Sequence, residues 1–398
     1  MNILDRIKGL SEEQYKQAVA NRRHLHRNPE LSYEEKETAA FVAQNLKEMG
    51  IKYTENVGGY GVVATISGKN TNGKVLALRA DMDALPIVEA NNTEYVSQKP
   101  GIMHACGHDV HTASLLGTAH ILNQIKDELA GTVKFIFQPA EEKAPGGASI
   151  MIKEGVLKNP DVNAILGQHV APNVSVGKIG FRSGMYMAST DEIYMRIHGK
   201  GGHGAAPHST VDPILVGSHI VVALQQIISR NKNPAYPSVL TIGKFIANGA
   251  TNIIPNDVYI EGTFRCMNEE WRAEGLAKIQ RMAETLADSM GARCEFWIVK
   301  GYPFLQNHPE LTAKTRLSAE NYVGSENIVD LDLWMAGEDF AFYSQQVDAC
   351  FYRLGTRNEA KGIISGVHTP TFDIDEQALA IGPGLMAYMA VEELKANS

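Results

Sequence analysis

The sequence predicts an α/β chain: a mixed, largely parallel sheet with helices on both faces, interrupted by an inserted ferredoxin-like α+β domain. Three observations carry this. Short runs rich in Val, Ile and Leu alternate with helical stretches through the first part of the chain. The order then changes to β-α-β-β-α-β. After residue 300 the alternation of strand and helix resumes. At 398 residues the chain is too long for one ordinary core. The expected division is a discontinuous domain over 1–183 and 301–398 and an inserted domain over 184–300.

The first fifty residues read as two helices. Ser11 followed by Gln14 has the form of a capping box, and Asn28-Pro29 stops that helix. Ser32 and Glu35 repeat the signal. Ala39, Val42, Leu46 and Met49 give one apolar face, and Gly50 closes it. Strand-like runs follow at 61–66, 74–80, 132–138 and 164–168, with a helix at 110–125 among them. Asp81 and Asp83 follow the second run, Glu141 and Glu142 the third, and His169 the fourth. Ligands of open α/β sheets bind beyond the carboxyl ends of the strands, so these side chains are aimed at one edge. In the insert, a strand at 192–198 leads to a glycine-rich loop and a helix at 213–229. Strands at 239–246 and 257–265, a helix at 269–290 and a strand at 293–300 complete it. The chain ends in a helix from Glu376 onward. His368 lies in this last part; if it joins the earlier acids and histidines, the outer domain must be discontinuous.

Composition removes several function classes. Hydrophobic residues make up 44% and charged residues 21%, the profile of a folded globular chain. The net charge of −8 and the lack of a basic stripe argue against nucleic-acid or anionic-membrane partners. No apolar run reaches the roughly 18–20 residues that span a bilayer, and the first residues lack the apolar stretch of a signal peptide. The cytoplasm is therefore the expected compartment. Four cysteines, at 106, 266, 294 and 350, are too sparse for a disulfide framework. Cys266, Cys294 and Cys350 read as small buried hydrophobes. Cys106 differs because of its neighbours.

In Gly101-Ile-Met-His-Ala-Cys-Gly-His-Asp109, His104, Cys106 and His108 alternate. An extended segment would put them on one face, where Cys106 and His108 could grip one metal or straddle two. The flanking glycines allow a tight turn around an ion. His104 and His111 read either as hydrogen-bonded packing residues or as ligands. Gln138-Pro-Ala-Glu-Glu142 ends a buried-type strand with two adjacent carboxylates whose side chains must diverge. One can bind metal while the other takes a proton from water, whose pKa a metal lowers from about 15.7 to about 7. His169 and His368, each alone, are ordinary core histidines; their weight comes from the set. Asp81 and Asp83 either orient ligand histidines or cap helices.

Together these residues resemble the M20 family of two-metal peptidases and amidohydrolases, most of all its branch of aminoacylases, hippurate hydrolases and auxin-conjugate amidohydrolases. The resemblance covers nearly the whole chain. Its motifs are His26-Arg-Asn-Pro-Glu-Leu31, Arg79–Pro86, Met103–Asp109, Gln138–Glu142, Gly201-Gly-His-Gly-Ala-Ala-Pro207, Asn252-Ile-Ile-Pro255, Ala336-Gly-Glu-Asp-Phe340 and His368-Thr-Pro370. It implies two divalent metal ions per chain, Zn²⁺ or Mn²⁺, held by Cys106, His108, Glu142, His169 and His368. Glu141 is then the general base and Asp81 and Asp83 are supporting carboxylates. The wider family has His-x-Asp where this chain has Asp81-Met-Asp83; that change, with a cysteine among the ligands, fits the aminoacylase-like branch. The resemblance further implies a lid domain that mediates homodimerisation. His203 would reach the partner's active site to steady an oxyanion, and Asn252 and Arg265 would hold the substrate. The implied activity is hydrolysis of N-acyl-L-amino acids, with carboxypeptidase or dipeptidase action as the alternative. Two rivals remain: a thiol amidase with Cys106 as nucleophile and His108 as base, and a non-catalytic binding protein.

Overall fold

A computed structural model describes residues 2–70 and 73–395. These form two compact units. The first comprises Met1–Gly184, Gln306–Asp332 and Asp339–Ser398; the second comprises Met185–Leu305 and Leu333–Glu338. Backbone bonding explains why the short return segment belongs to the second unit. Trp334 N donates to Tyr186 O, and Ala188 N donates to the carbonyls of Trp334 and Ala336.

The described residues of the first unit form an eight-stranded mixed sheet. In spatial order its strands are Lys52–Val57, Gly61–Ser67, Thr132–Gln138, Val75–Asp81, Ala164–Ser175, Asp348–Arg357, Ile179–Phe181 and Ile328–Asp330. The central strands pair in parallel, from Thr132–Gln138 across to Asp348–Arg357. The pairs that flank them are antiparallel, and the outermost pair, Ile179–Phe181 with Ile328–Asp330, is parallel again. Val75–Asp81 and Thr132–Gln138 are buried at every residue, as expected of strands covered on both faces. Alternate residues of Asp348–Arg357 serve the two faces. Cys350, Tyr352 and Leu354 join the main core with residues of the His108–Gln124 and Ala378–Lys395 helices. Phe351 points the other way and stacks on Phe340 at 4.9 Å.

Several local expectations need correction. The first helix runs Ile3–Arg27 and is capped by Asn2, whose side chain accepts from Asp5 N. Ser11 lies inside it, buried, with its hydroxyl donating to Ala380 O; tertiary packing, not capping, explains this serine. The second helix, Lys36–Glu48, has no side-chain cap from Ser32 or Glu35. Instead Glu30 reaches across, its carboxylate accepting from Glu37 N and Thr38 N at 3.1 and 2.8 Å. The Lys52–Val57 edge strand escaped sequence reading because its residues are mostly exposed and carry no apolar run.

In the second unit, Asp191–His198, Ser238–Ile246, Asp257–Cys266 and Arg293–Lys300 form an antiparallel sheet. Numbered along the chain, its spatial order is second, third, first, fourth, which is the ferredoxin-like order. Helices Pro213–Gln226 and Glu269–Ser289 cover one face, with Ile193, Ile197, Val216, Ile220, Phe264 and Ile279 in the shared core. The Pro213–Asn231 stretch is, by length and composition, apolar enough to cross a membrane. Its buried residues Val216, Ile220, Leu224 and Ile227 belong to the core of this unit, which accounts for the apolar character of that side.

Candidate metal centre

The candidate centre of the first unit is built at the ends of the parallel strands. Asp81 is the last residue of its strand. Cys106 and His108 are not on an extended segment. Gly107 between them adopts φ +84° and caps the His108–Gln124 helix, which His108 begins. A Cβ there would stand 2.6 Å from Val170 Cγ2, so only glycine allows the turn that brings the thiol and the imidazole together. His169 lies within the Ala164–Ser175 strand, not at its end. Beyond Gln138 the chain turns through Ala140 at φ +53° and presents Glu141 and Glu142. His368 also has a positive φ, +61°, and its N–H donates to Ala105 O at 2.7 Å.

These turns gather the donors into two overlapping groups. Cys106, His108 and His169 offer atoms within 4.8 Å of one another, and so do Cys106, Glu142 and His368. Cys106 Sγ is 3.5 Å from His169 Nε2, and His368 Nε2 is 3.2 Å from Glu142 Oε1. Glu141 shares a third group with His108 and Glu142.

Second contacts fix which nitrogen faces the centre. His108 Nδ1 sits 2.8 Å from Asp83 O, and His169 Nδ1 sits 2.8 Å from Val170 O. Each Nδ1–H donates to its carbonyl, which leaves Nε2 as a lone pair aimed inward. His108 Nε2 is buried and makes no hydrogen bond, whereas Glu142 Oε1 faces His368 Nε2. An orphaned buried imidazole nitrogen beside a thiol, a second imidazole and a carboxylate is what a divalent-cation site requires.

The supporting residues divide their work. Asp83 accepts from Glu141 N at 3.0 Å, from Glu142 N at 2.9 Å and from Ser32 Oγ at 2.6 Å, while Oδ1 lies 3.2 Å from His108 Nδ1. Asp81 takes His111 Nδ1 at 2.5 Å and an Arg79 N–H at 2.5 Å. His111 Nε2 accepts from Val170 N at 2.9 Å. Both ring nitrogens of His111 are thus engaged, so proximity to Asp81 and His108 does not make it a ligand. His104 is buried with both nitrogens unpartnered and stands in none of the donor groups; burial pushes it down to about 4, so it is neutral.

Electrostatics follow the same layout. Burial would raise Asp81, yet His108 and Arg79 hold its carboxyl well below the usual range. Burial, with Arg353 alongside, keeps His169 well below an ordinary histidine. Hydrogen bonding to Cys106 and Glu142 raises His368 to about 10. Burial and the Glu142 charge raise the Cys106 thiol. That last direction speaks against an unassisted thiolate nucleophile, which needs a depressed pKa.

Sequence reading did not assign roles to Arg79 and Asp339. Arg79, fully buried, donates to Gln138 Oε1 at 2.9 Å and to Asp339 at 2.7 Å as well as to Asp81. Asp339 also accepts from Gln138 Nε2 and Ala148 N, and its own N–H donates to Glu141 Oε1 at 3.3 Å. Both residues stand in the quoted motifs, which was the only available signal.

The three remaining predicted residues lie in the second unit. His203 pairs with Ile253 in a short antiparallel bridge and is exposed; its Nδ1 accepts from Ala205 N at 3.0 Å. Asn252 is exposed, and its carbonyl accepts from Gly204 N at 2.8 Å. Arg265 is half-buried on the Asp257–Cys266 strand and donates to Met335 O at 3.1 Å.

Comparison with known proteins places these features in context. Residues 77–392 match the model of peptidase family M20/M25/M40. An N-acyl-L-amino acid amidohydrolase of Geobacillus stearothermophilus is 43% identical over 306 residues, 77% of this chain and 82% of that one. Thermostable carboxypeptidase 2 of Saccharolobus solfataricus is 38% identical over 395 residues, 98% of this chain and 99% of that one. Among solved structures, the YXEP protein of Bacillus subtilis, a dinuclear metal-binding peptidase, superposes with a TM-score of 0.83 at 37% identity. That match covers 96% of this chain and 98% of that one.

Proposed function

This chain belongs to peptidase family M20/M25/M40, and on that premise we propose that it hydrolyses the amide bond of N-acyl-L-amino acids at a two-metal centre. The observation that carries the reading is the pair of donor groups joined at Cys106, with the Glu141 carboxylate alongside. Cys106, His108 and His169 are assigned to one ion and Cys106, Glu142 and His368 to the other. Two divalent cations, Zn²⁺ or Mn²⁺, would supply a water of lowered pKa and polarise the scissile carbonyl.

The chain's own residues do the rest. Glu141, buried at 6% exposure, takes the proton from water and returns it to the leaving nitrogen. Asp83 fixes His108 and both amides of the Glu141–Glu142 turn, and Asp81 acts through His111 and Arg79. His203 is assigned to the oxyanion in the active site of a second copy of the chain: with Nδ1 engaged by Ala205 N, its Nε2–H is the free donor. Asn252 and Arg265 are assigned to the substrate carboxylate or carbonyl, the guanidinium offering a planar fork.

A second copy of the chain is the proposed partner. Ser238–Ile246 is an edge strand with Val239, Phe245 and Ile246 exposed, and the neighbouring helix exposes Leu215 and Val222, the latter at 73%. An open edge beside apolar surface favours self-association. Sedimentation should give a dimer, and Leu215→Glu with Val222→Glu should give a folded monomer; a wild-type monomer at micromolar concentration contradicts the assignment. We place the protein in the cytoplasm, where its four free cysteines stay reduced.

The 38% identity to a carboxypeptidase keeps peptide substrates as the second reading. Metal-loaded protein should be assayed on N-acetyl, N-benzoyl and indole-acetyl amino acids and on dipeptides, with and without EDTA. The expected result is higher kcat/KM on N-acyl amino acids than on dipeptides, all of it lost in EDTA. Preference for dipeptides would establish the second reading. Activity that survives EDTA but not iodoacetamide would establish a thiol amidase.

A further inference from the structure

The turn that presents Glu141 and Glu142 is not self-supporting. Ala140 holds φ +53°, a conformation that costs a non-glycine residue free energy. Gly147 N donates to Ala140 O at 2.9 Å, and a Cβ on Gly147 would stand 1.8 Å from Pro139 O. Further contacts to the turn come from a segment distant in sequence. Glu35 Oε1 accepts from Ala140 N at 2.7 Å. Tyr33 Oη donates to Lys143 O at 3.0 Å. Ser32 Oγ donates to Asp83, which accepts the Glu141 and Glu142 amides. Residues 32–35 therefore touch the turn at its start, at its end and, through Asp83, at its centre.

Helix geometry does not account for Glu35. It precedes the Lys36–Glu48 helix but makes no side-chain cap there; its carboxylate folds back onto Tyr33 N at 3.0 Å and across to Ala140. The residue is fully buried, and Oε2 has no hydrogen-bond partner. Burial, with Asp83 nearby, pushes its pKa up to about 7. Leaving a carboxylate oxygen buried and unpaired typically costs on the order of 1–3 kcal/mol, so its presence needs a reason other than packing.

We propose that Glu35 is a positioning residue for the reaction: by accepting the Ala140 amide it sets where the Glu141 carboxylate stands, with Ser32 and Tyr33 as the other two points of one clamp. The proposal rests on the assignment of Glu141 as base, but its main test does not need turnover. Amide hydrogen exchange over residues 140–142 reads the clamp directly in full-length protein. Glu35→Ala should speed exchange there by about 10-fold or more while amides of the sheet core keep their rates. In metal-loaded protein the same variant should lower kcat by about 10- to 100-fold, the scale of a misplacement near 1 Å, with KM changed by less than about 2-fold.

Glu35→Gln keeps an oxygen acceptor and should restore kcat to within about 3-fold of wild type, with wild-type exchange over the turn. Unchanged exchange in Glu35→Ala overturns the proposal. So does faster exchange spread evenly over the chain, or a Glu35→Gln variant as impaired as Glu35→Ala. Should Glu35→Ala fail to fold, Tyr33→Phe removes only the donor to Lys143 O. It should speed exchange over 140–146, and no change there also overturns the clamp. If wild-type protein cleaves no N-acyl amino acid, the functional reading fails while the exchange experiment still decides this one.

Discussion

Replacing Glu141 with glutamine is expected to lower kcat by about 10²- to 10⁴-fold, the range for loss of a positioned general base, with bound metal and KM unchanged. Glutamine keeps the shape and the oxygen that accepts the Asp339 amide, so the buried network from Arg79 through Asp339 stays paired. What it loses is basicity. Glu141 is assigned to proton transfer and Glu142 to metal, although the two are adjacent and share a donor group with His108. The variant separates those roles, because a ligand loss would appear as loss of metal before any loss of rate at saturating ion. Near wild-type turnover in Glu141→Gln would remove Glu141 as base.

Cys106→Ala should have the largest effect on metal binding of any single substitution. The thiol belongs to both donor groups, whereas His169 and His368 belong to one each. After dialysis against a fixed free-metal concentration, Cys106→Ala should lose ion from both positions. His169→Ala and His368→Ala should each lose one. Outer-shell partners alone cost about 10- to 100-fold in affinity, so deletion of a shared ligand should exceed that range. Equal losses in Cys106→Ala and His368→Ala would show that Cys106 is not shared.

Much of this arrangement was legible in the sequence, and what was not has definite physical causes. Thr132–Gln138 and Arg293–Lys300 match the expected bounds because each is a continuous strand-like run closed by a turn or a change of character. The acids after Asp81 and Gln138 could be placed because sheet topology directs strand ends to one edge. The turn at Gly107 is legible only in part: the flanking glycines allow it, but the alternation of His104, Cys106 and His108 reads as extended, and the approach of Val170 shows why the glycine bends the chain. His169 was placed at a strand end because the apolar run stops there, yet the ladder continues to Ser175 through backbone pairing with Asp348–Arg357. Arg79 and Asp339 are 260 residues apart, and no local pattern links them. Ser11 reads as a cap by composition and is in fact a core contact to Ala380 O.

A centre joined at Cys106 should hold two ions per chain. Calorimetric titration of metal-free protein with Zn²⁺ or Mn²⁺, with turnover followed in parallel, tests it most directly. The expected result is two equivalents bound per chain, with activity reaching its plateau only as the second is taken up. Saturation of both binding and activity at a single equivalent would contradict it.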